Sequence, residues 1–234
     1  MALLVAAVFP VAVFLIYIYG KDTEKEPPKL LFRCFFLGCV AIVPVVFIET
    51  LLSGFNNFDS AFLRSIFGAF VVAALVEEGF KFLFLSGIIW RRKEFDQYFD
   101  GIVYAVFISL GFALVENVLY VFDGGIGTAI MRAVLSVPGH GLFGVIMGYF
   151  FALAKFSPAK RKRWLLLSFL IPVLFHGLYD FFLIYLGENE NTSIMLLLFA
   201  GFILVMVFLW RNGAGYIKKH YAKDKKPIPS NTFR

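Results

Sequence analysis

The chain has 234 residues, of which 60% are hydrophobic and only 16% charged, with a mean hydropathy of +0.82 and a net charge of +6. That balance excludes an ordinary soluble domain and places the chain among polytopic membrane proteins. A transmembrane β-barrel is excluded too, because its strands would be short and alternating, whereas the apolar runs here are continuous and rich in Leu, Phe and Ala.

The expected fold is an all-α bundle, since helices satisfy their own backbone groups in lipid. A crossing needs roughly 20 apolar residues, and seven windows meet that need: 2–19, 32–52, 64–89, 101–122, 131–154, 164–186 and 193–211. The first window has no preceding basic residue, and no small-residue cleavage site follows it in Lys21 to Pro28, so it reads as a helix and not a signal peptide. The second holds Cys34 and Cys39, five apart and off a common helix face, which argues for packing residues and against a disulfide.

The third window concentrates the chemistry. Glu77, Glu78 and Lys81 lie inside the apolar run from Phe62 to Trp90. An ionised side chain at the centre of a membrane helix costs about 2.5–3.5 kcal/mol on insertion scales, so three within five residues imply partners, a wet cavity and a task. Spacings of three and four bring both carboxylates to the Lys81 ammonium on one helix face. One lysine offsets only one of them, so the other is a candidate general base. The bland alternative is an ion pair that locks helices together.

The fourth window contributes Glu116 and Asn117, and the fifth His140 in Pro138-Gly139-His140-Gly141, followed by Gly144 and Gly148, which permit close helix approach. The sixth carries His176 and Asp180, four apart, so the carboxylate can orient the ring. At about 1.5 Å of rise per residue, Glu116, His140, His176 and Asp180 fall at overlapping depths, with Glu77 and Glu78 slightly deeper. One shared cavity opening outward would require that coincidence. His220, in the basic tail, reads as bland.

Basic residues cluster in alternate connections: Lys21 to Arg33, Arg91 to Lys93, Lys155 to Arg163, and Arg211 onward. The remaining connections hold only Arg64 and Arg132. The positive-inside rule then puts the amino terminus outside and the carboxyl terminus in the cytoplasm, with seven crossings. The expected organisation is one membrane domain over 1–215 and a basic, disordered cytoplasmic tail over 216–234. The tail lysines, Lys218, Lys219, Lys223, Lys225 and Lys226, suit anionic lipid, and no nucleic-acid module is evident.

Taken together, Glu77-Glu78-Gly79-Phe80-Lys81 (EExxK), Phe112 to Glu116 (FxxxE), His140 to Gly144 (HxxxG) and His176 to Asp180 (HxxxD) resemble the motifs of the PrsW family of membrane-embedded proteases. That family is related to the prenyl-protein (CAAX) endopeptidases and bacteriocin-processing enzymes. The order of motifs, one per helix, and the chain length agree with it over nearly the whole sequence. The resemblance implies a multi-pass cell-membrane peptidase that makes the first, extracytoplasmic cut in a membrane-anchored anti-sigma factor during a stress response.

Peptide hydrolysis needs an activated water, a stabilised oxyanion and a proton for the leaving amine. Glu77 or Glu78 would move the proton, while His140 and His176 would either bind zinc, with Glu78 as a third ligand, or donate to the oxyanion without metal. Asp180 would orient His176, and Asn117 would supply a further donor. No G-x-S-x-G or GxGD segment supports serine or aspartyl chemistry. An ion- or proton-coupled transporter is the rival reading of intramembrane Glu, Lys, His and Asp, although no inverted repeat accompanies it.

Overall fold

The computed structural model describes residues 2–225, all helix and connection with no strand among them. The helices are α1 (Ala2–Lys21), α2 (Pro28–Ser53), α3 (Ala61–Ile66), α4 (Leu75–Ile89), α5 (Tyr98–Met131), α6 (Val137–Phe156), α7 (Arg161–Gly187) and α8 (Thr192–Asp224). Wide π-helical turns at Phe67–Ala74 and Arg132–Ser136 join α3 to α4 and α5 to α6 without a break.

Five helical runs are long and apolar enough to cross a membrane: Leu3–Lys21, Pro28–Ser53, Tyr98–Phe156, Pro158–Gly187 and Thr192–Asp224. This departs from the seven windows in two places. The 64–89 window is helical throughout, yet Arg64, Glu77, Glu78 and Lys81 give it too much charge to rank with the apolar runs. The 101–122 and 131–154 windows lie in a single helical run of 59 residues, and the connection expected between them is itself helical apart from Gly125.

That run folds back on itself. Gly125 takes φ 71° and ψ −159°, a conformation that only glycine adopts without strain, and α5 and α6 then pack antiparallel. Gly101 faces Gly148 closely enough that a methyl group on Gly101 would lie 2.6 Å from the Gly148 carbonyl oxygen. The Ser109 hydroxyl donates to the His140 carbonyl oxygen at 2.7 Å, fixing the register of the pair. The first half of α5 and most of α6 are buried, and the other helices surround this hairpin with apolar faces such as Phe36, Phe47, Leu197 and Leu204 turned outward.

The carboxyl-terminal segment corrects another expectation. α8 continues to Asp224, so residues 216–224 are ordered helix, while 226–234, with Lys226 and the Pro-rich 227–229, lie outside the described residues. The Asp224 carboxylate accepts from the Tyr98 and Phe99 amides at 2.9 and 2.8 Å, capping the first turn of α5 where the helix dipole favours an anion. His220 is fully buried and stacks on Tyr149 with ring centroids 4.3 Å apart. A packed ring and a cap hold this segment against the bundle.

Candidate active site

The wide turns of Phe67–Ala74 deliver the chain into α4, whose first turn carries Glu77 and Glu78. The Lys81 ammonium donates to Glu77 Oε2 at 3.0 Å and to Glu78 Oε1 at 2.8 Å. All three are buried, which is tolerable only because the charges compensate one another. The third Lys81 donor meets His140 Nδ1 at 3.2 Å, and the ammonium also lies 4.3 Å from the centre of the Phe112 ring.

The imidazoles arrive from two other helices. His140 Nε2 lies 2.9 Å from Glu116 Oε2, and because Nδ1 faces an ammonium that can only donate, the ring hydrogen belongs on Nε2. His176 Nδ1 lies 2.9 Å from Glu78 Oε1 and its Nε2 3.2 Å from Asp180 Oδ2, so both ring nitrogens face carboxylate oxygens. The Phe143 ring stacks on His176 at 4.8 Å, and Gly177 lets α7 lie close against Phe70 of the wide-turn segment. The two imidazole centroids are 5.3 Å apart.

A cavity of about 660 Å³ opens beside this cluster, lined by Glu77, Glu116, His140, His176 and Asp180. Glu78 and Lys81 lie behind that wall. Of the residues singled out from sequence, Glu77, Glu78, Lys81, His140 and His176 meet directly, Glu116 joins through His140, and Asp180 through His176. Asn117 does not face the cluster: its Nδ2 donates to the Ala7 carbonyl oxygen at 2.9 Å and its Oδ1 accepts from Arg132 at 2.9 Å. One of its two Nδ2 hydrogens is thus committed to α1.

The whole-chain comparisons agree with this geometry. A family model described as PrsW family intramembrane metalloprotease matches residues 26–210. The chain belongs to the PrsW family of intramembrane metalloproteases. Proteins named Protease PrsW resemble it along nearly their full length: 41% identity to that of Geobacillus kaustophilus, covering 97% of both chains, and 39% to that of Bacillus subtilis, covering 93% of this chain and 95% of the relative. That of Oceanobacillus iheyensis is 41% identical over 90% of this chain and 92% of the relative. No solved structure is similar to it. Membership makes the protein an enzyme and leaves the transporter reading without support.

A metalloprotease needs a metal, and the donor set of this PrsW-family protease suits one. Glu77, Glu78, His140 and His176 each offer a ligand atom, and these atoms all lie within 4.8 Å of one another. Glu78 Oε2 is buried without any hydrogen-bond partner, an acceptor that a cation would satisfy. Two imidazoles with carboxylates form a hydrolytic-zinc type of donor set. Glu116 and Asp180 sit against the Nε2 atoms and orient both rings, with His140 Nδ1 on the Lys81 ammonium and His176 Nδ1 on Glu78.

Two cavity residues had no assigned place in the chemistry. Arg132, read from sequence only as a loop cation, donates to Glu116 at 2.6 Å and to Asn117 at 2.9 Å. Glu49 of α2 lines the cavity across from α4. The only available signal was an ionisable residue at the edge of an apolar window, and neither belongs to a motif.

Proposed function

We propose that this protein is a zinc-dependent endopeptidase that cuts a membrane-anchored protein on the extracytoplasmic side of the cell membrane. By the family resemblance of its four motifs, the substrate is an anti-sigma factor and the cut is the first of its processing, in a stress response. The observation that carries the reading is the convergence of Glu77 of α4 with the α6 and α7 imidazoles on the wall of one cavity, with Glu78 directly behind it.

Seven crossings with the amino terminus outside fit the placement of charge. The cavity is lined by Ser53, Tyr120, Arg132 and Ile184, near the connections at 54–60 and 188–191 and the reversal at Gly125. Those are the connections poor in Lys and Arg, so the positive-inside rule directs the opening outward.

Within the site we assign the proton transfer to Glu77. It borders the cavity, whereas Glu78 is fully buried and engaged by Lys81 and His176. Glu77 takes a proton from water as the oxygen adds to the scissile carbonyl carbon, then returns it to the amide nitrogen as the C–N bond breaks, leaving a carboxylic acid and an amine. Lys81 holds the Glu77 carboxylate in place. Glu78, His140 and His176 would hold the ion, which when bound polarises water and the substrate carbonyl as a Lewis acid. Asp180 and Glu116 keep the rings oriented.

The test is cleavage of a membrane-anchored anti-sigma factor by the protein reconstituted in lipid. Glu77→Gln should lower turnover by about 10²–10⁴, the usual range for a positioned proton-transfer group. Chelation should abolish cleavage and added zinc restore it. Cleavage that survives both treatments undiminished would refute this assignment.

A further inference from the structure

Glu116 Oε2 accepts two hydrogen bonds at once, from His140 Nε2 at 2.9 Å and from Arg132 Nη2 at 2.6 Å. The same guanidinium donates through Nε to Asn117 Oδ1 at 2.9 Å, and Asn117 in turn donates to the Ala7 carbonyl oxygen of α1 at 2.9 Å. The guanidinium carbon also lies 4.3 Å from the centre of the Tyr120 ring, so its plane is held by an aromatic face as well as by its polar partners. Arg132 begins the wide turns that follow the Gly125 reversal. Its backbone is therefore placed by the hairpin, and its side chain reaches back across it to α5.

We propose that Arg132 is a positioning residue of the active site: it clamps the Glu116 carboxylate so that Glu116 holds His140 in the Nε2–H tautomer, with Nδ1 turned to the Lys81 ammonium beside Glu77 and Glu78. This deepens the peptidase reading and rests on it. Among the described residues Glu116 forms no ion pair with another Lys or Arg, and without the guanidinium its only hydrogen-bond partner there is the imidazole. A carboxylate held from one side rotates about its side-chain bonds, whereas one gripped between a fixed guanidinium and a ring nitrogen does not. The chain from Ala7 through Asn117 and Arg132 to Glu116 thus couples α1 to His140.

A double-mutant cycle on the full-length protein tests this. Arg132→Ala should lower kcat by about ten- to a hundredfold, as loss of an outer-sphere partner does, with KM little changed. In a Glu116→Gln background the same substitution should add less than about threefold, because both changes break one chain. Arg132→Lys, which keeps charge and length, should recover part of the loss, since one ammonium cannot hold Glu116 and Asn117 in a fork. If Arg132→Ala does not fold, Arg132→Lys should show the same coupling at smaller amplitude. Histidine-selective ¹⁵N spectra provide a readout that needs no substrate: His140 should be a single Nε2–H tautomer in the wild type and a mixture in the Arg132 variants. An unchanged tautomer, an effect on KM alone, or a full multiplicative loss in the Glu116→Gln background would overturn the proposal. Absence of wild-type cleavage with the expected spectra would instead count against the peptidase reading alone.

Discussion

Lys81→Met is the most informative single perturbation of the bundle. It keeps the length of the side chain and its contact with Phe112 while removing the ammonium that sits between two buried carboxylates. At an effective dielectric near 20, ion pairs of 3.0 and 2.8 Å correspond to attractions of about 5.5 and 6 kcal/mol. The desolvation of the ammonium opposes them. Breaking a buried pair from one side has a net cost of about 3–5 kcal/mol, because an uncompensated charge stays behind. The assay is equilibrium unfolding in mixed detergent, performed with chelator so that no cation replaces the missing one. Adding Glu77→Gln removes one stranded charge, so the double variant should recover part of the lost stability. A loss below about 1 kcal/mol for Lys81→Met, the level of an exposed ion pair, would refute the view that this ammonium neutralises the cluster.

Two further outcomes concern the frame around the site. Gly125→Ala should destabilise the protein by about 1–2 kcal/mol, because a side chain at φ 71° meets its own backbone, whereas Gly127→Ala, with nothing within 4 Å of the added methyl group, should not. Thermal unfolding of the pair distinguishes a required reversal from a merely convenient glycine. Asp224→Ala removes the acceptor for the Tyr98 and Phe99 amides, and should cost about 0.5–2 kcal/mol, as other caps do. Limited proteolysis should then cut within 216–224, and resistance equal to that of the wild type would show that His220 and its aromatic neighbours hold the segment alone.

Much of the site follows from spacing along single helices. Glu77, Glu78 and Lys81 are local: spacings of three and four on one helix determine that they meet. His176 and Asp180 are local for the same reason. Ionisable groups inside apolar windows also mark themselves, because lipid penalises them. Arg132 was not legible as part of the site, since its partners Glu116 and Asn117 lie sixteen and fifteen positions away across a reversal. The contact of Asn117 with α1 was not legible, because its partner, the Ala7 carbonyl oxygen, is 110 positions distant and carries no sequence signal.

The sequence alone determined the all-helical membrane class, the helices that carry each polar group and, through the order of four motifs, the family. Backbone satisfaction in lipid and the helical repeat both act over a few residues, so they can be read from the chain. Tertiary structure decided which nitrogen of each histidine faces which carboxylate, that the connection after α5 is helical around a single reversed glycine, and that α8 stays packed to Asp224. Those outcomes depend on side chains brought together from distant helices, where close packing and pairing of buried charge select among arrangements that local pattern leaves equal.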